Sequence, residues 1–155
     1  MTASISRYVD DALDKIYRGD LEMAASSISI AVAGTAKKAF PGLHGDAKKY
    51  KAFLNRHMGL IVYVAIPGMA LARGASIRLG FSHPDVPKDS EGYCTLEDVL
   101  YHVVRCGLIH EAAFPSAVRF DDCLSADGCL PKGIVSGMVL AVVVAPENRD
   151  ELSIS

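Results

Sequence analysis

The 155-residue sequence lacks a marked excess of charge of either sign, since 16 Lys and Arg stand against 18 Asp and Glu, for a formal net charge of -2. With a pI near 6.2, it has no general positive field that would draw it onto nucleic acid or acidic lipid. A nucleic-acid role therefore requires a local site. The basic residues cluster only weakly, as on solvated helix faces: Lys37, Lys38, Lys48, Lys49, Lys51 and Arg56.

The sequence also lacks an apolar run long enough to cross a membrane. The longest run, residues 59–72, is interrupted at Pro67 and Gly68 and is shorter than the roughly 18 residues that a span requires. The N-terminus has no basic segment followed by an apolar stretch, which is the pattern of an export signal. We therefore expect a cytoplasmic protein that does not contact a membrane.

Cysteines are few, and their spacing is not that of a metal site: Cys94, Cys106, Cys123 and Cys129. Cys123 and Cys129 are six positions apart, without a Cys-x-x-Cys pair or a second pair of ligands. We therefore expect no zinc and no other cofactor. Cys106 directly follows Arg105 and could be a reactive thiol, although a free cysteine is more often a small buried hydrophobic residue.

Hydrophobic residues are abundant, at 50% of the chain against 22% charged. This is the composition of a folded globular protein, and a chain of this length is expected to form one domain, residues 1–155, around a single core. No internal repeat or low-complexity tract divides the sequence.

Helical periodicity dominates the first two thirds of the chain. It predicts helices over about residues 5–17, 21–40 and 46–67. Asp20 can cap the second helix, which carries a stripe of small residues and ends before Pro41. Residues 74–92 are predicted to be a long connection with one short extended piece, after which Thr95 can cap a further helix.

After Pro115 the composition changes. Residues 117–120 and 134–144 are rich in β-branched side chains, and the turn-forming residues 125–128 separate them. The pattern predicts a β-hairpin appendage over about residues 117–145, attached to a helical part of about residues 5–114. The expected fold class is therefore mainly α, a helical bundle with a C-terminal β-hairpin.

One stretch carries recognisable chemistry, because Arg105 and His110 lie five positions apart and Glu111 follows. Arginine binds anionic oxygens in a bidentate manner and histidine exchanges a proton near neutral pH, as metal-free phosphate chemistry requires. Five helical residues leave the two side chains about 140° apart, so a shared site within one chain requires distorted backbone, for which Gly107 provides freedom. The simpler interpretation is an ion-paired surface arginine and a histidine that stabilises the helix end beside Glu111.

The stretch from Arg105 to His110, late in a mostly helical domain, resembles the Arg-x4-6-His motif of the HEPN superfamily. This superfamily comprises compact helical bundles found in toxin, abortive-infection and CRISPR-associated ribonucleases. The Arg-Cys-Gly-Leu-x-His-Glu form also resembles a pattern in small bacterial members. The similarity covers the motif closely and the helical order of residues 5–114 loosely, while Cys106 stands where the family often has a polar residue.

The resemblance implies that the substrate is RNA and that cleavage proceeds without metal, by attack of the 2'-OH on the adjacent phosphorus. His110 would be the general base or acid, and Arg105 would stabilise charge on the phosphoryl oxygens. It also implies a homodimer in which two copies of the motif face each other, with an antitoxin-type protein as a candidate partner.

Other residues could line such a site: Tyr101, His102, Cys106, Glu111 and Asp98. His102 precedes Arg105 by three positions, which would place both on about the same face of an α-helix. The weaker candidates are Glu97 on the same helix, with a solvated face as the simpler interpretation, and Arg73 and Arg78 in the long connection. His44, His57 and His83 are scattered and predict no metal site.

Two further functions stay open on the sequence alone. One is a non-catalytic module of the same fold that binds RNA or a nucleotide. The other is a small interaction or immunity-type protein in which the motif is incidental. RNA cleavage in EDTA that is lost in a folded His110→Ala variant would favour the ribonuclease over both.

Overall fold

The computed structural model describes residues 4–111, 118–121 and 128–152, with backbone alone for 109–111. Its helices are α1 (Ile5–Tyr17), α2 (Leu21–Ala39), α3 (Asp46–Arg56), α4 (Met58–Ala65), α5 (Leu96–Val99), α6 (Cys106–Glu111) and α7 (Gly133–Val144). A π-helical turn (Leu100–Arg105) joins α5 to α6, and a 3-10 turn (Pro146–Asn148) follows α7. The predicted mainly α helical bundle is confirmed.

Two short strand pairs accompany the helices. In the long connection, β1 (Arg78–Leu79) pairs antiparallel with β2 (Cys94–Thr95), directly before α5. The extended piece predicted within this connection is therefore present. The second pair, β3 (Arg119–Asp121) and β4 (Cys129–Pro131), is parallel.

Helix α2 lies at the centre of the bundle and packs against α1, α3 and α7. Its buried face consists mainly of small residues, which allow neighbouring helices to approach closely. The buried apolar members of this face are Ala24, Ala25, Ile28, Ala31, Val32 and Ala36. The stripe of small residues predicted from the sequence therefore forms a core surface.

Both predicted helix caps are present. The Asp20 carboxylate accepts a hydrogen bond from the Met23 amide at 3.2 Å, and the Thr95 hydroxyl accepts one from the Asp98 amide at 3.2 Å. The predicted third helix is instead two helices, because His57 leaves helical geometry between α3 and α4. The interruption separates α3, which packs on α2, from α4, which packs on α7.

The predicted β-hairpin over residues 117–145 is wrong in its second arm, since Gly133–Val144 form helix α7. The strands that do form, β3 and β4, pair in parallel and therefore are not a hairpin. Helix α7 is apolar around its circumference and packs against α2 and α4, so burial outweighs the strand preference of its valines. The predicted turn residues 125–127 lie outside the described residues.

Two glycines bring α7 against the backbone of α4. A Cβ atom placed on Gly137 would lie 2.8 Å from the carbonyl oxygen of Ile61 and 2.9 Å from its Cα. A Cβ atom on Gly133, one turn earlier, would lie 2.7 Å from the Cα of Ala65. These distances are shorter than van der Waals contact, so the packing of α7 on α4 requires glycine at both positions.

A polar contact joins α1 to α2 on the other side of the bundle. The buried Ser27 hydroxyl donates to the Asp11 carboxylate, and Lys15 Nζ donates to Ser27 Oγ at 3.1 Å as well as to Asp11. Hydrogen bonds, first from Lys15 and then from Ser27, lower the pKa of Asp11 below its ordinary value of 3.8. The interface is therefore stabilised by an ionised carboxylate.

We expect this contact to make the stability of the domain depend on acid pH. Because the pKa of Asp11 is lower in the folded chain than in the unfolded chain, its stabilisation is complete above about pH 5 and is lost as the pH falls through the folded pKa. Urea unfolding at about pH 6 and pH 3 should show a smaller loss of unfolding free energy in Asp11→Asn than in the wild type. The exposed Asp10→Asn variant is the control and should behave as the wild type. Equal losses in all three proteins would contradict the expectation.

Candidate functional site

Arg105 is the last residue of the π-helical turn, a type of distortion that occurs frequently at functional sites. Its guanidinium carbon lies 5.7 Å from the centroid of the Tyr50 ring and 5.5 Å from that of Tyr101. Both distances are within the range of cation–π attraction. The rings of Tyr50 and Tyr101 therefore position the half-buried guanidinium of Arg105.

Tyr50 is the buried base of this arrangement. It is 1% exposed, and burial raises its pKa to about 12, so the ring remains neutral beneath Arg105. Its hydroxyl donates to Ser29 Oγ at 3.4 Å and so links α3 to α2. Tyr50 was not among the residues expected at the site, because it stands among lysines of a helix whose sequence indicates a solvated face.

Among the residues that the structure describes, Arg105 contacts no carboxylate. Many of the other cations do: Lys15, Arg18, Lys38, Lys51, Arg56 and Arg78 each lie within salt-bridge distance of an Asp or Glu. A guanidinium that is half-buried without a carboxylate partner keeps its donors available for an anion. The simpler sequence interpretation pairs Arg105 locally beside Glu111, whose side chain lies outside the described residues.

A cavity of about 420 Å³ opens beside Arg105, between α1, α2 and the start of α6. The apolar residues that line it are Ile5, Ile30, Ala33 and Leu108. Lys37 of α2 also lines it and is a second cation beside Arg105. Lys37 was expected on a solvated helix face. It is exposed, as expected, but it also lies at the edge of this cavity.

The structure does not bring Arg105 and His110 to one face through Gly107. The backbone is α-helical from Cys106 to Glu111, which places positions 105 and 110 about 140° apart around the helix axis. The non-α-helical turn in this region lies before Gly107, at Leu100–Arg105. The side chains of His110 and Glu111 lie outside the described residues.

His102 and Asp98 form a second cluster with Lys51. Lys51 Nζ lies 3.1 Å from Asp98 Oδ1 and 3.5 Å from His102 Nε2, while the Thr95 hydroxyl donates to Asp98 at 2.9 Å. Burial and then the charge of Lys51 lower the pKa of His102, with Asp98 opposing. His102 and Arg105 were expected on about the same face because an α-helix places residues three apart close together. Both lie in the π turn, where the spacing differs, and His102 contacts Lys51 of α3 while Arg105 contacts Tyr50.

Tyr101 connects the two clusters. Its ring centroid lies 5.3 Å from that of Tyr50 and 5.0 Å from that of His102, in addition to its contact with Arg105. Burial and then the neighbouring Cys106 raise the pKa of Tyr101. Cys106 is half-buried and free of disulfide bonds. Of the residues expected to line the site, Tyr101 and Cys106 therefore lie next to Arg105.

Glu97 and Arg78 differ from their sequence interpretations. Glu97 is 6% exposed rather than solvated, and its Oε1 has no hydrogen-bond partner in the described part of the chain. Burial accordingly raises the pKa of Glu97. Arg78 is paired with Asp89 and Glu91, at 2.6 and 2.8 Å, and so fastens the long connection instead of facing a ligand.

The sequence profile of one family, Rv1289, matches residues 4–155. The chain belongs to the Rv1289 family. No curated protein matches the sequence, and no solved structure matches it. The HEPN resemblance of this Rv1289-family chain therefore stays a prediction. In the described ranges, no helix of the family member is both long and apolar enough to cross a membrane, and no three His, Cys, Asp or Glu residues are grouped to hold a metal ion.

Proposed function

We propose that this Rv1289-family domain binds RNA and holds one of its phosphates at Arg105. The observation that carries the proposal is the half-buried guanidinium, supported by Tyr50 and Tyr101 and without a carboxylate partner in the described residues. Arginine and aromatic side chains are the groups with which proteins bind single-stranded RNA. The near-neutral charge of the whole chain fits a local contact with one or two phosphates.

RNA cleavage without metal is the second candidate. The position of His110 on the helix that begins immediately after Arg105 favours it, as does the resemblance of this stretch to the ribonuclease motif. Because a regular helix separates the two positions by about 140°, catalysis would use Arg105 of one copy with His110 of another. This candidate therefore includes a homodimer with facing motifs, and an antitoxin-type protein as a second partner. The three cysteines that the structure describes as free fit a reducing, cytoplasmic setting.

We expect Arg105→Ala to weaken the binding of a fluorescent 12-nucleotide single-stranded RNA by at least about tenfold, because a hydrogen bond to a charged group is worth about 1.5–3 kcal/mol. Arg105→Lys should recover part of the loss, since it keeps the charge but not the bidentate geometry. Fluorescence anisotropy at several salt concentrations measures both. The salt dependence should be shallow, with a logarithmic slope of about -0.7 for each phosphate contacted.

Arg18→Ala is the matched control, because Arg18 is an exposed arginine at the end of α1 that pairs with Asp14 at 3.1 Å and does not line the cavity beside Arg105. It should bind RNA as the wild type does, and thermal unfolding should show that all variants are folded. Equal affinities of the wild type and Arg105→Ala would overturn the proposal.

Incubation of the same RNA in EDTA separates binding from cleavage. Cleavage that is lost in a folded His110→Ala variant would establish the second candidate. Binding without cleavage would support the binding function alone. Cleavage that needs added metal, or that survives in His110→Ala, would contradict the proposed catalytic role of His110.

A further inference from the structure

We propose that the cavity between α1 and α2 is a binding site for a small amphiphilic anion, a carboxylate or phosphate monoester attached to an aliphatic group. This site shares Arg105 with the proposed RNA contact but takes a different ligand, and it does not require that the protein bind RNA. The cavity volume of about 420 Å³ is within the range of small-molecule pockets. The volume therefore admits a ligand with a short aliphatic chain.

The lining of the cavity is predominantly aliphatic. Ile5, Ile30, Ala33 and Leu108 present carbon to its interior. Ile30 is 48% exposed in spite of lying in the centre of α2, so a large apolar side chain that lines the cavity is only half covered by the protein. An apolar ligand group in the cavity would remove this surface from water, which is favourable.

The charged end of the ligand would lie between Lys37 and Arg105. Both line the cavity, and neither contacts a carboxylate in the described ranges. The neighbouring Lys38 is different, because it pairs with Glu151 at 3.3 Å and donates to Asn148. Two adjacent lysines of one helix thus have different roles, and the one that no acidic residue of the described ranges contacts is the one at the cavity.

The polar part of the cavity is held in place by one buried ring. Tyr50 supports the guanidinium of Arg105 from below and donates to the hydroxyl of Ser29, which is 2% exposed and also lines the cavity. Two lining residues from different helices are therefore fixed by the same side chain. Side chains that are already held in place lose less conformational entropy when a ligand binds.

Isothermal titration calorimetry with four probes tests the inference: octyl phosphate, octanoate, inorganic phosphate and 1-octanol. We expect the first two to bind at least tenfold more tightly than the last two, since each of the last two lacks one half of the amphiphile. Equal binding of 1-octanol and octyl phosphate would overturn the role of the cations. Failure of octyl phosphate and octanoate to bind would overturn the site.

Three variants test whether octyl phosphate binds in this cavity. Lys37→Ala should weaken octyl phosphate at least tenfold and is expected to fold, because Lys37 is exposed. Lys38→Ala is the control and should leave the affinity unchanged. Ala33→Phe should fill the apolar part and weaken octyl phosphate. Losses of equal size in Lys37→Ala and Lys38→Ala would overturn the assignment. Since these titrations contain no RNA, their failure would be distinct from a failure of the RNA-binding proposal.

Discussion

Replacement of Gly137 by alanine is expected to lower the free energy of unfolding by about 3 kcal/mol, at the upper end of what overpacking costs. The added Cβ would meet the Ile61 carbonyl oxygen at 2.8 Å and Cα at 2.9 Å. These atoms belong to the backbone of α4, so no flexible side chain can move aside to accept the methyl group. Helix propensity acts against this loss of stability, since alanine is favoured over glycine in a helix by about 1 kcal/mol.

Urea unfolding followed by circular dichroism measures this effect, and Gly133→Ala should behave in the same way. Gly42→Ala is the control, because a Cβ at Gly42 would meet no atom within 4 Å. It should change the unfolding free energy by less than about 1 kcal/mol. A Gly137→Ala variant as stable as Gly42→Ala would show that α7 and α4 do not pack this closely.

Replacement of Asn148 by alanine is expected to cost about 2–3 kcal/mol, because it leaves buried groups without partners. Asn148 is 0% exposed and donates to the Thr35 hydroxyl at 2.8 Å and to the Val142 carbonyl at 3.0 Å. It thereby ties the chain beyond α7 to the C-terminal part of α2. The loss should appear as a lower urea midpoint with an unchanged slope.

Asn55→Ala is the control, since Asn55 is the other asparagine of the chain and is half-buried on α3. It should be less destabilising than Asn148→Ala by at least about 1 kcal/mol. A double variant, Thr35→Val with Asn148→Leu, removes the hydroxyl as well as the amide and should recover part of the loss. Similar losses in both single alanine variants would show that the buried amide contributes little.

The fold could be predicted where local patterns determine structure. The amphipathic spacing of α1, the small residues of α2 and the caps at Asp20 and Thr95 are short-range features, and each is present as expected. Helix α7 could not be assigned from its β-branched residues, because its helical state depends on burial between α2 and α4. The spacing of Gly133 and Gly137, one helical turn apart, was the local indication of close helix packing.

The candidate site was predictable in part. Arg105 belongs to the sequence motif, Tyr101 was expected to line a site there, and the two side chains lie together. Tyr50 and Lys37 come from α3 and α2, and only tertiary packing shows that they adjoin Arg105. Glu97 was misjudged because one helical position cannot distinguish a solvated carboxyl from a buried one.

The π-helical turn has a consequence for the angles between the residues that it contains. Its hydrogen bonds span five residues rather than four, so it contains one residue more than an α-helical turn. Because the wider turn takes up this extra residue, α6 continues with about the rotation relative to α5 that an uninterrupted α-helix one residue shorter would give it. Deleting one residue there would therefore change how His102 and Arg105 are placed relative to each other, while leaving α6 nearly unrotated.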